Sequence, residues 1–133
     1  MGYEQDWIMR QVHSIVSFII YLMIGKKPNE DMLQNFEKTT FSSNTLYSNL
    51  KDLISQGKID EAENKLFDSI DTDLSDKNAF YAGILFYSEI NNLSNEKLRE
   101  YNFPREEILR GLKEICSIYG FELGALDIDN YNK

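Results

Sequence analysis

The chain has little proline, histidine or cysteine: Pro28 and Pro104, His13, and Cys116 are all there is. With two prolines in 133 residues, almost no stretch is barred from helix, and Leu, Ile, Glu, Lys and Asn are abundant. A single cysteine excludes an internal disulfide and fits a reducing compartment. One histidine and one cysteine cannot supply the usual zinc ligand set, so no metal or other cofactor is expected. Basic residues are also scarce, with 14 Lys and Arg against 22 Asp and Glu, a net charge of −8. Phosphate binding needs clustered cations, and the one basic doublet, Lys26–Lys27, makes no groove; nucleic acid is not an expected partner.

Long apolar runs are missing too. Residues 15–24 (IVSFIIYLMI) are apolar except at Ser17 and Tyr21, but a spanning helix needs roughly 20 such residues. The start, Gly2-Tyr3-Glu4-Gln5-Asp6, lacks the positive charge of a signal peptide, and Asp6 stands where a myristoylation pattern wants Ser or Thr. Stable membrane insertion is therefore not expected, and the expected location is the cytoplasm. No glycine-rich phosphate loop, serine elbow or dinucleotide fingerprint occurs.

What is present is apolar periodicity. Hydrophobic residues make up 42 % of the chain, enough for the core of one domain of this length, so residues 1–133 are expected to form a single unit. The first helix is predicted over 4–24, stopped by Gly25 with Pro28 just beyond. Two adjacent seams run along it: Ile8, Val12, Ile15, Ile19 and Leu22 on one, Met9, His13, Val16, Ile20 and Met23 on the other. Trp7, Phe18 and Tyr21 widen the apolar girth. A helix so widely apolar must be covered on several sides, by the rest of the chain or by a second copy.

A short helix over 30–38 would present Met32, Leu33 and Phe36. Residues 43–70 read as a helical hairpin: Leu46, Leu50, Leu53 and Ile54 make one face, Gly57 breaks the helix, and Ile59, Ala62, Leu66, Phe67 and Ile70 make the next. Within 76–119, one helix starts at Asp76 as N-cap and runs to about 92, with Ala79, Ala82 and Gly83 allowing another helix close approach. Ser94 caps a short helix over 95–101. Pro104 starts the last helix, with Glu106 and Glu107 at its positive end, Ile108, Leu112, Ile115 and Tyr119 as its seam, and Gly120 as its stop. Residues 121–133 are expected to fray unless Phe121 and Leu123 anchor them.

Few constellations carry chemistry. His13 reads as a core or interface histidine between Met9 and Val16, and Cys116 as a small apolar core residue; a dyad would need the first and last helices side by side. Asp71-x-Asp73-x-Ser75 opens like a calcium loop, but its sixth and twelfth places hold Asp76 and Ala82 instead of glycine and glutamate. Asp127-x-Asp129 runs out of chain. The aromatic stretch 80–87 reads as core before it reads as a groove.

A shift of 34 places, the tetratricopeptide period, lays Phe80, Tyr81, Ile84 and Tyr87 over Leu46, Tyr47, Leu50 and Leu53. In the second half of that unit, Ala62 and Leu66 meet Glu96 and Glu100. Gly57, Ala62 and Leu66 fall where the motif places turn glycine, small alanine and a large apolar residue, so the geometry is tetratricopeptide-like. The segments Asp6-Trp7-Ile8-Met9-Arg10-Gln11-Val12 and Arg105-Glu106-Glu107-Ile108-Leu109-Arg110-Gly111-Leu112-Lys113-Glu114-Ile115 resemble a family of small helical proteins of unknown function from Gram-positive bacteria. That resemblance implies a bacterial cytoplasmic helical protein and no particular activity.

The expected fold is therefore all-α, a bundle of helical hairpins around the first helix. The expected function is a non-enzymatic module that binds a protein partner or itself, as a homodimer, through Ile8, Val12, Ile15, Phe18, Ile19 and Leu22. An enzyme or small-molecule binder with a site between helices is the alternative. A peripheral membrane protein using helix 1 and Lys26–Lys27 is a third, disfavoured because helix 1 carries a single Arg10 on its polar side.

Overall fold

The computed structural model describes residues 2–24, 34, 44–75 and 77–121, and among them the fold is all-α, with no strand. Among the described residues six helices can be bounded, in order: α1 (Gly2–Ile24), α2 (Thr45–Ser55), α3 (Ile59–Thr72), α4 (Lys77–Asn91), α5 (Asn95–Glu100) and α6 (Arg105–Ile118). Of the expected short helix over 30–38 only Gln34, which is helical, is described; the Asp76 cap and the tail after Phe121 lie outside the described residues.

Local chemistry explains where the helices start and stop. Asn44 caps α2, its Oδ1 accepting from the Tyr47 amide at 3.0 Å, while its Nδ2 donates to the Asn78 carbonyl at 2.7 Å. One side chain thus begins α2 and ties it to the first turn of α4. Gly57 turns the chain at φ +76°, with its own N–H bonded to Ile54 O and that of Lys58 to Leu53 O, both at 2.9 Å. The turn folds α3 back against α2 as the expected hairpin. Ser94 Oγ accepts from the Lys97 amide at 3.0 Å and so starts α5. Gly120, at φ +90°, closes α6. Pro104 departs from expectation: at ψ 152° it is the extended residue before α6, and Arg105 is the first helical one.

At the centre lies α4, which packs against α1, α2, α3 and α6. Phe80, Ile84, Leu85, Phe86, Tyr87 and Ile90 are all buried, so the aromatic stretch is core. Each such side chain contributes about 1.5–3 kcal/mol by leaving water. Gly83 marks the closest approach, since a Cβ there would lie 2.1 Å from Ile115 Cδ1 of α6. The expected role of the small residues on this helix is thus seen at the α4–α6 crossing. Past α6, Phe121 stacks on Phe80 with ring centres 5.4 Å apart, anchoring the start of the tail.

α1 packs on both α4 and α6. Its direction relative to α4 is fixed by Asn91 Nδ2, which donates to the Met9 carbonyl at 3.1 Å, placing the end of α4 beside the first half of α1.

Candidate functional site

The six residues expected to form an interaction surface divide into two groups. Ile8, Val12, Ile15 and Ile19 are buried within the chain, at 6 % exposure or less, as are Val16 and Ile20 of the neighbouring seam. Phe18 is half-buried and Leu22 is 46 % exposed. Beside these two, Trp7 is 48 % and Tyr21 38 % exposed. Trp7 and Phe18 are separated by three helical turns, and Phe18, Tyr21 and Leu22 are i, i+3 and i+4 neighbours. All four therefore share one edge of α1, about 22 Å long at 1.5 Å per residue.

His13 is exposed, so of its two expected places, core or interface, it does not take the core. The seam drifts around the helix, and its Val16 and Ile20 end reaches the interior while His13 stays at the rim of a groove with Met9, Asn91 and Asn92. Cys116 is fully buried. Burial alone pushes its thiol up to about 12, which disfavours the thiolate at neutral pH.

Two polar contacts inside the bundle carry more chemistry than either residue. Arg105, 3 % exposed, holds the α4–α5 connection together. Its Nε donates to Asn95 Oδ1 at 2.8 Å, Nη1 to the Asn91 carbonyl at 2.9 Å and to Asn91 Oδ1 at 3.3 Å, and Nη2 to the Leu93 carbonyl at 2.7 Å. Burial lowers its proton affinity from the usual arginine range, and the Asp6 carboxylate opposes that fall. Beside this knot, α1, α5 and α6 enclose a cleft bordered by Gln5, Asn95, Arg99, Asn102 and Arg105.

The second contact joins three helices. Tyr87 Oη on α4 donates to Glu63 Oε2 on α3 at 2.6 Å, and Gly111 on α6 leaves the space: a Cβ there would meet Tyr87 Oη at 2.2 Å and Glu63 Oε2 at 2.8 Å. Burial raises the proton affinity of Glu63, the Tyr87 hydrogen bond opposes the rise, and the charges of Glu107, Asp60 and Glu114 add to it. Tyr87 is pushed far above the usual phenol range, by burial first and then by the Glu63 charge. Neither the His13 groove nor the Arg105 cleft includes this pair. Among the described residues no group of three or more His, Cys, Asp or Glu is placed to hold a metal ion. No described helix is long and apolar enough to cross a membrane.

Sequence reasoning assigned no role to Arg105, Asn91, Glu63 or Tyr87. A signal existed for two of the contacts: an arginine at the first position of a helix opposes the helix dipole, and a glycine inside a helix costs about 1 kcal/mol against alanine. Both are exceptions that a tertiary contact has to justify.

A protein family of unknown function, DUF6483, matches residues 2–120. The chain belongs to this family. The DUF6483 match takes in all six helices, the outer edge of α1 and both internal polar contacts. No curated protein and no solved structure matches the chain.

Proposed function

We propose that this DUF6483 chain is a non-enzymatic helical module that associates through the outer edge of α1, in the first instance with a second copy of itself. The carrying observation is the exposure of Trp7, Tyr21 and Leu22 along one edge of a helix whose Ile8, Val12, Ile15, Val16, Ile19 and Ile20 are core. Aromatic side chains add large contact area at small entropic cost and are enriched where proteins meet. In this reading Ile8, Val12, Ile15 and Ile19 set the orientation of α1 from within, while Phe18 and Leu22 belong to the contact itself. The α2–α3 hairpin supports a tetratricopeptide-like arrangement, and the lone buried cysteine suits a bacterial cytoplasm.

Light scattering on the eluting protein tests self-association, and Trp7, the single tryptophan, is a built-in reporter. A mass approaching that of a dimer as concentration rises, with Trp7 emission moving to shorter wavelength, is the expected result. Leu22→Lys should return the protein to monomer with its helical signal intact, whereas Ile15→Asp should unfold it. A monomer at every concentration, with unchanged Trp7 emission, overturns self-association.

A further inference from the structure

The cleft beside Arg105 has a volume of about 330 Å³, at the lower end of the range of small-molecule sites. Its floor is apolar, formed in part by Leu98 and Phe103, which are 3 % and 1 % exposed. Among the described residues its polar lining consists of donors and amides: Gln5 from α1, Asn95 and Arg99 from α5, Asn102 from the following turn, and Arg105. Among the described residues no carboxylate lines it, and the Asp6 carboxylate acts on Arg105 from outside the lining. Arg99 and Arg105 bring two positive charges to one cleft of an acidic chain, with Asp6 offsetting part of the charge of Arg105.

The donors differ in how they are held. Arg105 is immobilised by its bonds to Asn91, Leu93 and Asn95. Because Asn95 Oδ1 accepts from that guanidinium, its NH2 group is directed elsewhere. Asn102 adopts φ +56°, the left-handed position just past the end of α5 that glycine and, after it, asparagine take most readily. The turn that holds it is closed by Phe103 N–H to Leu98 O at 2.9 Å and Asn102 N–H to Arg99 O at 3.1 Å. Arg99 is exposed, and its guanidinium enters no hydrogen bond or ion pair with a described residue.

We propose that this cleft binds a small organic anion, with a carboxylate or phosphate head on Arg99 and the Asn95, Asn102 and Gln5 amides, and a compact apolar body over Leu98 and Phe103. Arg105 supplies fixed positive charge behind the head. The site is separate from the outer edge of α1 and stands or falls independently of self-association.

Titration of the ¹⁵N-labelled full chain with benzoate, with phenyl phosphate, and with sodium chloride at matched ionic strength tests it. The expected result is saturable movement of the Arg99, Asn102 and Arg105 signals with one or both aromatic anions. Tighter binding of one of the two identifies the head group, and equal binding assigns recognition to the oxyanion and ring together. Arg99→Ala should weaken binding about tenfold, the scale of one charge-assisted hydrogen bond, without moving Tm. Asn102→Gly, which relieves the left-handed backbone, should weaken binding while Tm holds or rises. Shifts that chloride reproduces, shifts that never saturate, or an affinity unchanged in Arg99→Ala overturn the proposal.

Discussion

Two charged side chains meet α6, Arg105 buried at its first position and Glu63 of α3 half-buried against Gly111 six residues further on, and they are treated in opposite ways. Arg105, at the first position of α6, meets acceptors at every nitrogen: two main-chain carbonyls and two side-chain amide oxygens. Glu63, opposite Gly111 in the middle of α6, has one donor in Tyr87 and three carboxylates for neighbours. The guanidinium is a charge whose lost hydration has been replaced group by group, so it acts as a rigid joint. The carboxylate is a charge whose hydration has been replaced in part, so it holds its proton more tightly than a free glutamate does. Burial alone does not decide whether an ion stabilises a fold; the number of partners waiting for it does.

Removing the better-satisfied ion should therefore do the greater harm. Arg105→Met keeps the volume but strands the Asn91 and Leu93 carbonyls, and should cost about 3–5 kcal/mol in urea unfolding. Arg105→Lys should recover little, because an ammonium cannot reach acceptors spread around a planar fork. A loss under about 1 kcal/mol for Arg105→Met, within the range of an ordinary hydrogen bond, would erase the contrast with Glu63. Next in size is Gly111→Ala, whose methyl meets Tyr87 Oη first. Overpacking of this kind should cost about 1–3 kcal/mol. Adding Tyr87→Phe should return part of that loss on thermal denaturation, and a double variant no more stable than the single one would show that the hydroxyl is not the obstacle.

The smallest effect is the one with a sign. Since the proton affinity of Glu63 is raised in the folded state above the ordinary value of 4.5, the folded chain binds this proton more tightly than the unfolded chain. Its contribution is fully present below 4.5, falls as pH rises through the raised folded value, and is constant above it. Glu63→Gln keeps an acceptor for Tyr87 and removes the charge, including its repulsion with Asp60 one turn earlier. The variant should be more stable than the wild type near neutral pH by roughly 0.3 kcal/mol or more. That advantage should shrink as pH falls to about 4. An advantage that does not vary with pH would mean that Glu63 is fully solvated.

Helix stops were legible in the sequence because caps are local. Gly57, Ser94 and Gly120 each act within a few residues of themselves, and the hairpin between Leu46 and Ile70 follows from periodicity and one glycine. The buried flank of α1 was not legible. Both of its seams are apolar, and what selects between them is the position of α4 and α6, which lies far along the chain. Trp7, Tyr21 and Leu22 consequently looked no different from Ile8 and Val12. The Glu63–Tyr87 contact spans 24 positions, with nothing at either residue to announce the other; the mid-helix Gly111 was its one trace. Pro104 was misplaced by a single residue because its fixed φ suits both the last extended and the first helical position, and ψ decides.

The hydrogen bond from Asn91 to the Met9 carbonyl spans 82 positions, and that distance has a consequence in time as well as in space. Synthesis at 5–20 residues per second separates the making of Met9 from the making of Asn91 by roughly 4–16 s. Through that interval Val12, Ile15 and Ile19 have no α4 or α6 to rest on. The seat of α1 is thus completed only once α4 and α6 have been made, and until then its apolar flank has no partner among them.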